Sequence, residues 1–152
     1  MMKIVRIDSY HTPFVCFVKV TAEDGSVGWG QTSPFAADMT ADLLHRLVAP
    51  IAVGKDGADI ESTIRSCFRE DYIYKFRGTF LCRAVCGVDT ALWDLRGKRE
   101  GRSVCELLGG SPKKIPVYAS SMRRDTEPVE EIERFRRWRD EHGAKAYKYK
   151  IG

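Results

Sequence analysis

Long hydrophobic runs are missing from this sequence. No uncharged apolar stretch approaches the ~20 residues that a bilayer-spanning helix requires, which argues against a membrane span. The first ten residues, MMKIVRIDSY, hold no apolar h-region, so no secretory leader is expected. A dominant charge sign is missing too. The 25 Lys and Arg stand against 21 Asp and Glu, a net +4, which is too balanced to require a polyanionic partner. Cysteine is sparse and odd in number. Cys16, Cys67, Cys82, Cys86 and Cys105 sit in apolar contexts, which fits a reducing cytoplasm better than a disulfide framework. Cys82 and Cys86 fall at i, i+4 of an expected helix, but no second Cys or His pair has the spacing to complete a zinc site. Both are expected to be small buried hydrophobes.

What is present suffices for a core: 152 residues, 43% of them hydrophobic. Up to about residue 112 the pattern is α+β. MKIVRIDSY, FVCFVKVTA and SVGWGQT read as a three-stranded antiparallel meander, with EDGS supplying a tight hairpin at Asp24-Gly25. Two loops, YHTPF (10–14) and TSPFAADM (32–39), lie at its ends. Helices come next. Thr40 is expected to cap ADLLHRLVAPIAV, which Pro50 shortens or kinks, and Asp59 to cap IESTIRSCFRE. In TFLCRAVCGVDTALWDLRG (79–97), Leu81, Val85, Val88, Leu92 and Leu95 form one stripe, with Gly97 as the expected stop. SVCELLGG carries a capping box from Ser103 to Glu106.

After Pro112 the grammar changes. KIPVYAS (114–120) reads as a strand and DTEPVEEIERFRRWRDEHG (125–143) as a helix. Asp125 or Thr126 is expected near its cap, Pro128 in its first turn, and Val129, Ile132, Phe135 and Trp138 on one face. KAYKYKIG is a strand again. Strand, helix and strand over about forty residues make a βαβ unit with parallel strands. Two parallel strands cannot cover both their faces, so a fragment of a longer protein is expected.

The last segment, AKAYKYKIG, raises the chemical question. In an extended strand Lys148 and Lys150 share a face with Ala146, their Cα atoms about 6–7 Å apart, while Tyr147, Tyr149 and Ile151 take the other. That pattern suits either a solvated lysine face or a pair awaiting an anion. Other charged candidates read as structural. Asp89 and Asp94, five residues apart on one helix, point about 140° apart. Arg134, Arg136, Arg137 and Arg139 are interleaved with acids, giving a solvated helix face rather than a nucleic-acid stripe. The aromatic and basic run DYIYKFRGTF (71–80) is expected to pack within the domain or against another subunit.

Taken together, RAVCGVDTALWDLRGKREGRSVCELLGG (83–110), IPVYAS and AYKYKIG resemble the enolase superfamily, in its mandelate racemase and muconate lactonizing branch. The resemblance implies an α+β capping domain over 1–112. Residues 113–152 would then be the first βαβ of a (β/α)-barrel, whose sites lie at the C-terminal ends of the strands. It implies abstraction of the proton alpha to a carboxylate, with a Mg²⁺-stabilised enediolate. Lys150 would be the base, and Lys148 its neighbour and a holder of the substrate carboxylate. An ordinary lysine is protonated at neutral pH and accepts no proton. Two ammonium groups about 6–7 Å apart repel by about 2–3 kcal/mol at an effective dielectric near 20, which disfavours both being charged at once.

By the same resemblance the Mg²⁺ ligands belong to later barrel strands, so no metal ligand is expected here and this chain alone is expected to be inactive. Sugar-acid dehydration is the first expectation; racemisation or epimerisation, and cycloisomerisation, are the alternatives. A non-catalytic cap-like interaction module is the alternative of another class. His11 and Phe35, in the two loops, are the expected substrate contacts, and Ser120, Ser121 and Met122 end the first barrel strand. A small-molecule carboxylate substrate, a cytoplasmic location and a homo-oligomer complete the expectation.

Overall fold

The computed structural model describes residues 2–69, 75 and 77–150. Half of the aromatic and basic run (71–74 and 76), and Ile151, lie outside the described residues, along with the packing expected of them. The chain falls into two compact units, Met1–Ser111 and Pro112–Gly152.

In the first unit β1 (Ile4–Thr12), β2 (Val15–Ala22) and β3 (Val27–Gln31) form an antiparallel meander in the order β1-β2-β3. Alternation drives it: Cys16, Val18, Val20 and Ala22 of β2 are buried while the residues between them face outward. The β2–β3 hairpin closes at Gly25, whose φ of 81° no β-carbon opposes. Asp24 Oδ1 accepts from Ser26 N at 3.0 Å and from Ser26 Oγ. The Ser26 hydroxyl, then its N–H and Arg99, hold the Asp24 carboxyl well below the usual carboxylate range.

α1 (Ala37–Leu43) runs through a π-helical turn, Leu44–Val48, into α2 (Ala49–Ala52). Thr40 does not cap this helix. It is buried inside it, its hydroxyl donating to Ala36 O at 3.0 Å, and Ala36 in a left-handed conformation occupies the cap instead. The wide turn lies just before Pro50, which has no N–H to give to the preceding turn.

α3 (Ile60–Arg69) starts at Asp59, whose Oδ1 accepts from Ser62 N at 3.1 Å. α4 (Thr79–Glu100) supplies the expected core stripe of Leu81, Val85, Val88, Leu92 and Leu95. It runs past Gly97 and ends at Gly101, φ 62°. Gly97 is a packing glycine: a β-carbon there would stand 2.8 Å from Arg102 O. Cys82 and Cys86 are exposed, not buried as expected, because they lie off the buried stripe; Cys16 and Cys67 are buried. α5 (Val104–Leu107) has the full Ser103–Glu106 capping box.

The second unit pairs β4 (Ala119–Ser120) with β5 (Tyr147–Lys148) in parallel, joined by α6 (Pro128–His142). Among the described residues, regular pairing is much shorter than the expected segments, each strand finding partners at two positions. Glu127 is the N-cap residue of α6, directly after Asp125 and Thr126 and with no side-chain cap bond, and the helix stops at Gly143, φ 65°. Asp125 is turned away to Arg123. On α6, Phe135 and Trp138 are half-buried, but Val129 and Ile132 are exposed.

Candidate active site

The two lysines stand at the C-terminal end of β5. Ser120 and Lys148 are register partners, and the strands are stitched by Ala119 N to Ala146 O at 2.9 Å and Ser121 N to Lys148 O at 2.8 Å. Tyr147 faces α6, its ring centroid 4.7 Å from that of Phe135, and its hydroxyl donates to Ala144 O at 2.8 Å. One residue on, Lys148 takes the opposite face, with Nζ 5.7 Å from the centroid of Tyr118. The alternation that sends the tyrosine to the helix thus sends the lysine away from it.

Lys150 lies beyond the regular ladder and is exposed, as is Lys148. No carboxylate among the described residues pairs with either ammonium. Lys150 lines a cavity of about 610 Å³ together with Ser121, Arg124, Glu131, Phe135 and Tyr149. Ser121 is buried, its Oγ donating to Arg123 O at 3.0 Å, whereas Met122 is exposed. Tyr118 does not stand out in the sequence as a site residue. The strand period carries its signal, since positions 118, 120 and 148 share one face once 120 pairs with 148.

His11 and Phe35 belong to the first unit. β1 extends through Thr12, so His11 lies in a strand opposite Cys16 rather than in a loop, and it is exposed at the sheet's end. The connection narrows to Pro13 and Phe14, because Tyr10 and Thr12 find partners in Phe17 and Val15. Phe35 and Ala36 have φ of 69° and 50°, two consecutive non-glycine residues in the left-handed region at a cost of about 1–2 kcal/mol each. Ala37 N donates to Pro13 O at 3.1 Å, which ties this loop to the β1–β2 turn. The turn and the loop therefore present Phe14 and Phe35 on neighbouring segments, 70% and 68% exposed. Phe14 is a further candidate contact that the breadth assigned to the loop concealed.

Asp89 and Asp94 do not converge. Asp94 Oδ2 accepts from Trp29 N at 2.8 Å and from Lys98 Nζ. Burial pushes the Asp89 carboxyl up, against a hydrogen bond from Trp93 that lowers it. No three His, Cys, Asp or Glu among the described residues are grouped to hold a metal ion, so the residues present do not fit a Mg²⁺ site. No described helix is long and apolar enough to cross a membrane.

Comparison with known proteins adds the frame. The profile of the mandelate racemase / muconate lactonizing enzyme N-terminal domain matches residues 3–109. D-galactonate dehydratase of Xanthomonas campestris pv. campestris (strain B100) is 37% identical over 110 residues, which is 72% of this chain and 28% of that protein. A solved structure from Roseobacter denitrificans superposes with a TM-score of 0.88 at 46% identity, covering 96% of this chain and 39% of that one. The magnesium-complexed mandelate racemase/muconate lactonizing protein of Paracoccus denitrificans PD1222 gives 0.82 at 27% identity, over 99% and 42%. The chain thus spans well under half the length of these relatives.

Proposed function

We propose, from the premise that this chain belongs to the mandelate racemase / muconate lactonizing enzyme family of the enolase superfamily, that it is the N-terminal part of an enzyme acting on a carboxylate substrate, with Lys150 as the base. Neutral Lys150 Nζ takes the proton from the carbon alpha to the carboxylate, and the electron pair of the broken C–H bond moves onto the carboxylate, giving an enediolate. Lys148 would face the reacting carboxylate as a cation and help to hold it. The observation that carries this reading is the lysine pair at and just beyond the C-terminal end of the second parallel strand, in the βαβ unit that follows a domain matching the family profile.

Mg²⁺ in the whole enzyme would neutralise charge on the carboxylate, and its ligands would come from residues outside this chain. Among the reactions open to an enediolate, dehydration of a sugar acid is the one we favour, on the likeness to D-galactonate dehydratases. In that reaction the β-hydroxyl leaves as water, and the enol product becomes a 2-keto-3-deoxy acid. Racemisation, epimerisation and cycloisomerisation share the enediolate and differ in the steps around it. His11 and Phe35, with Phe14 exposed on the neighbouring turn, are proposed as substrate contacts. The whole enzyme is proposed to work as a cytoplasmic homo-oligomer.

The test is to incubate the full-length enzyme and Mg²⁺ with a panel of sugar acids that includes galactonate, monitoring 2-keto acid formation and optical rotation. Appearance of a 2-keto-3-deoxy acid supports dehydration. A change in rotation without keto acid replaces it with racemisation or epimerisation.

A further inference from the structure

We infer that Glu131 and Thr126 form a subsite for the hydroxyl-bearing chain of a polyhydroxy acid, an inference that rests on reading Lys150 as part of a carboxylate-substrate site. The other acids of α6, Glu130, Glu133, Asp140 and Glu141, are exposed to water. Glu131 is 8% exposed, and neither of its carboxylate oxygens accepts a hydrogen bond from the described residues. Arg134 Nη1 lies 3.3 Å from Glu131 Oε2, one turn along the helix, near enough for an ion pair but not aligned as a hydrogen-bond donor. Thr126 Oγ1 is likewise buried without a hydrogen-bond partner among the described residues.

Buried oxygens without donors destabilise a fold, and a carboxylate does so more than a hydroxyl. Packing alone would be served as well or better by an apolar side chain of similar volume. Both residues line the cavity of about 610 Å³ that Lys150 also lines, a volume within the range of small-molecule sites.

The lining identifies the class of ligand. An ionised carboxylate accepts hydrogen bonds and gives none, whereas a threonine hydroxyl does both. Neighbouring hydroxyls on a sugar chain supply the donors that Glu131 lacks, and a hydrocarbon chain supplies none. Two cations, Arg124 and Lys150, line the same cavity, and no carboxylate among the described residues pairs with either. Arg123 is already engaged by Asp125. Acceptors for hydroxyls and unpaired cations for an acid group thus share one cavity. An aliphatic or aromatic acid satisfies the cations alone; a polyhydroxy acid satisfies both sets. The acid group is placed by Arg124 and Lys150, and the hydroxylated carbons against the first turn of α6.

Calorimetric titration of the full-length enzyme with Mg²⁺ tests this. The probes are six-carbon sugar acids, galactonate among them, and hexanoate, which has the same chain length without hydroxyls. At least one sugar acid is expected to bind about 10-fold or more tightly than hexanoate. Glu131→Gln, which keeps the size but turns one acceptor into a donor, is expected to weaken that sugar acid by about 10–100-fold and to leave hexanoate within about twofold. Thr126→Val is expected to weaken it by about 3–10-fold, and it keeps the test open if Glu131→Gln fails to fold. The proposal is overturned if no sugar acid outbinds hexanoate, or if the folded variants bind the sugar acid as the unaltered enzyme does. A Glu131→Gln enzyme that melts lower yet binds normally also overturns it, assigning the carboxylate to a structural partner. The base and the subsite fail separately. Undiminished α-proton exchange in Lys150→Met removes the base while Glu131-dependent binding stands; unchanged sugar-acid affinity in Glu131→Gln removes the subsite while Lys150-dependent exchange stands.

Discussion

The backbone N–H of Trp29 donates to Asp94 Oδ2 at 2.8 Å, joining an edge strand to a helix 65 residues further along the chain. The same carboxylate accepts from Lys98, so one side chain fastens β3 and steadies the last turns of α4. Replacing Asp94 with Ala leaves an edge N–H to water and removes both bonds. A loss of about 1–2 kcal/mol is expected, seen as a fall of several degrees in the thermal midpoint. Asp94→Asn, which keeps an acceptor, should lose less.

Two glycines separate crowding from backbone conformation. A β-carbon on Gly30 would lie 2.1 Å from Gly87 O and 2.8 Å from Ala91 N, so α4 could not pack at its present distance. Gly30→Ala should cost about 3 kcal/mol or more and yield a chain lacking cooperative unfolding. Gly25→Ala, at φ 81° in open space, should cost only about 1–2 kcal/mol. Circular dichroism melts of the two variants check the contrast.

Acid should loosen the N-terminal strand through Asp56. Its Oδ1 accepts from Met2 N at 2.8 Å and from Ala58 N at 3.0 Å, and those two backbone donors, Met2 first, hold its carboxyl below the ordinary value. A depressed carboxyl stabilises the fold above the unfolded-state value and loses that contribution as pH falls through the folded-state one. Glu106, held low by the Ser103 hydroxyl, acts in the same direction. Stability should therefore decline below about pH 4. Asp56→Asn should flatten that decline, as measured by urea midpoints at a series of pH values.

Thiol labelling under native conditions should modify Cys82, Cys86 and Cys105, which are exposed, and spare Cys16 and Cys67 until the chain unfolds. Burial, offset in part by a hydrogen bond with Thr32, pushes the Cys16 thiol up and adds to its protection. Peptide mapping after a short alkylation pulse separates the two groups.

Local patterns are the legible part of the sequence. The Asp24-Gly25 hairpin, the stripe of α4 and the Ser103–Glu106 box each depend on residues within a few positions of one another. Tertiary choices are hidden. Thr40 has the chemistry of a cap, yet the core claims it. Gly97 resembles a stop, yet the approach of Arg102 O explains it as packing. Cys82 and Cys86 have apolar neighbours in sequence, but the helix turns them outward. In the candidate site the strand period accounts for Tyr147 facing α6 and Lys148 facing away, while Lys150 lies beyond the ladder and lines a cavity with Phe135 and Tyr147. The Tyr118 contact needs the β4–β5 register, and the loop around His11 shrinks because cross-strand partners extend β1.

The base is best tested by α-proton exchange. The full-length enzyme with Mg²⁺ and a turned-over sugar acid in D₂O is monitored by proton NMR, comparing the unaltered protein with Lys150→Met and Lys148→Met. If Lys150 removes the proton, Lys150→Met lowers the rate of C–H cleavage by about 10²–10⁴-fold while the variant keeps its fold and its affinity for the carboxylate. Cleavage by Lys150→Met within a few-fold of the unaltered enzyme would contradict that assignment.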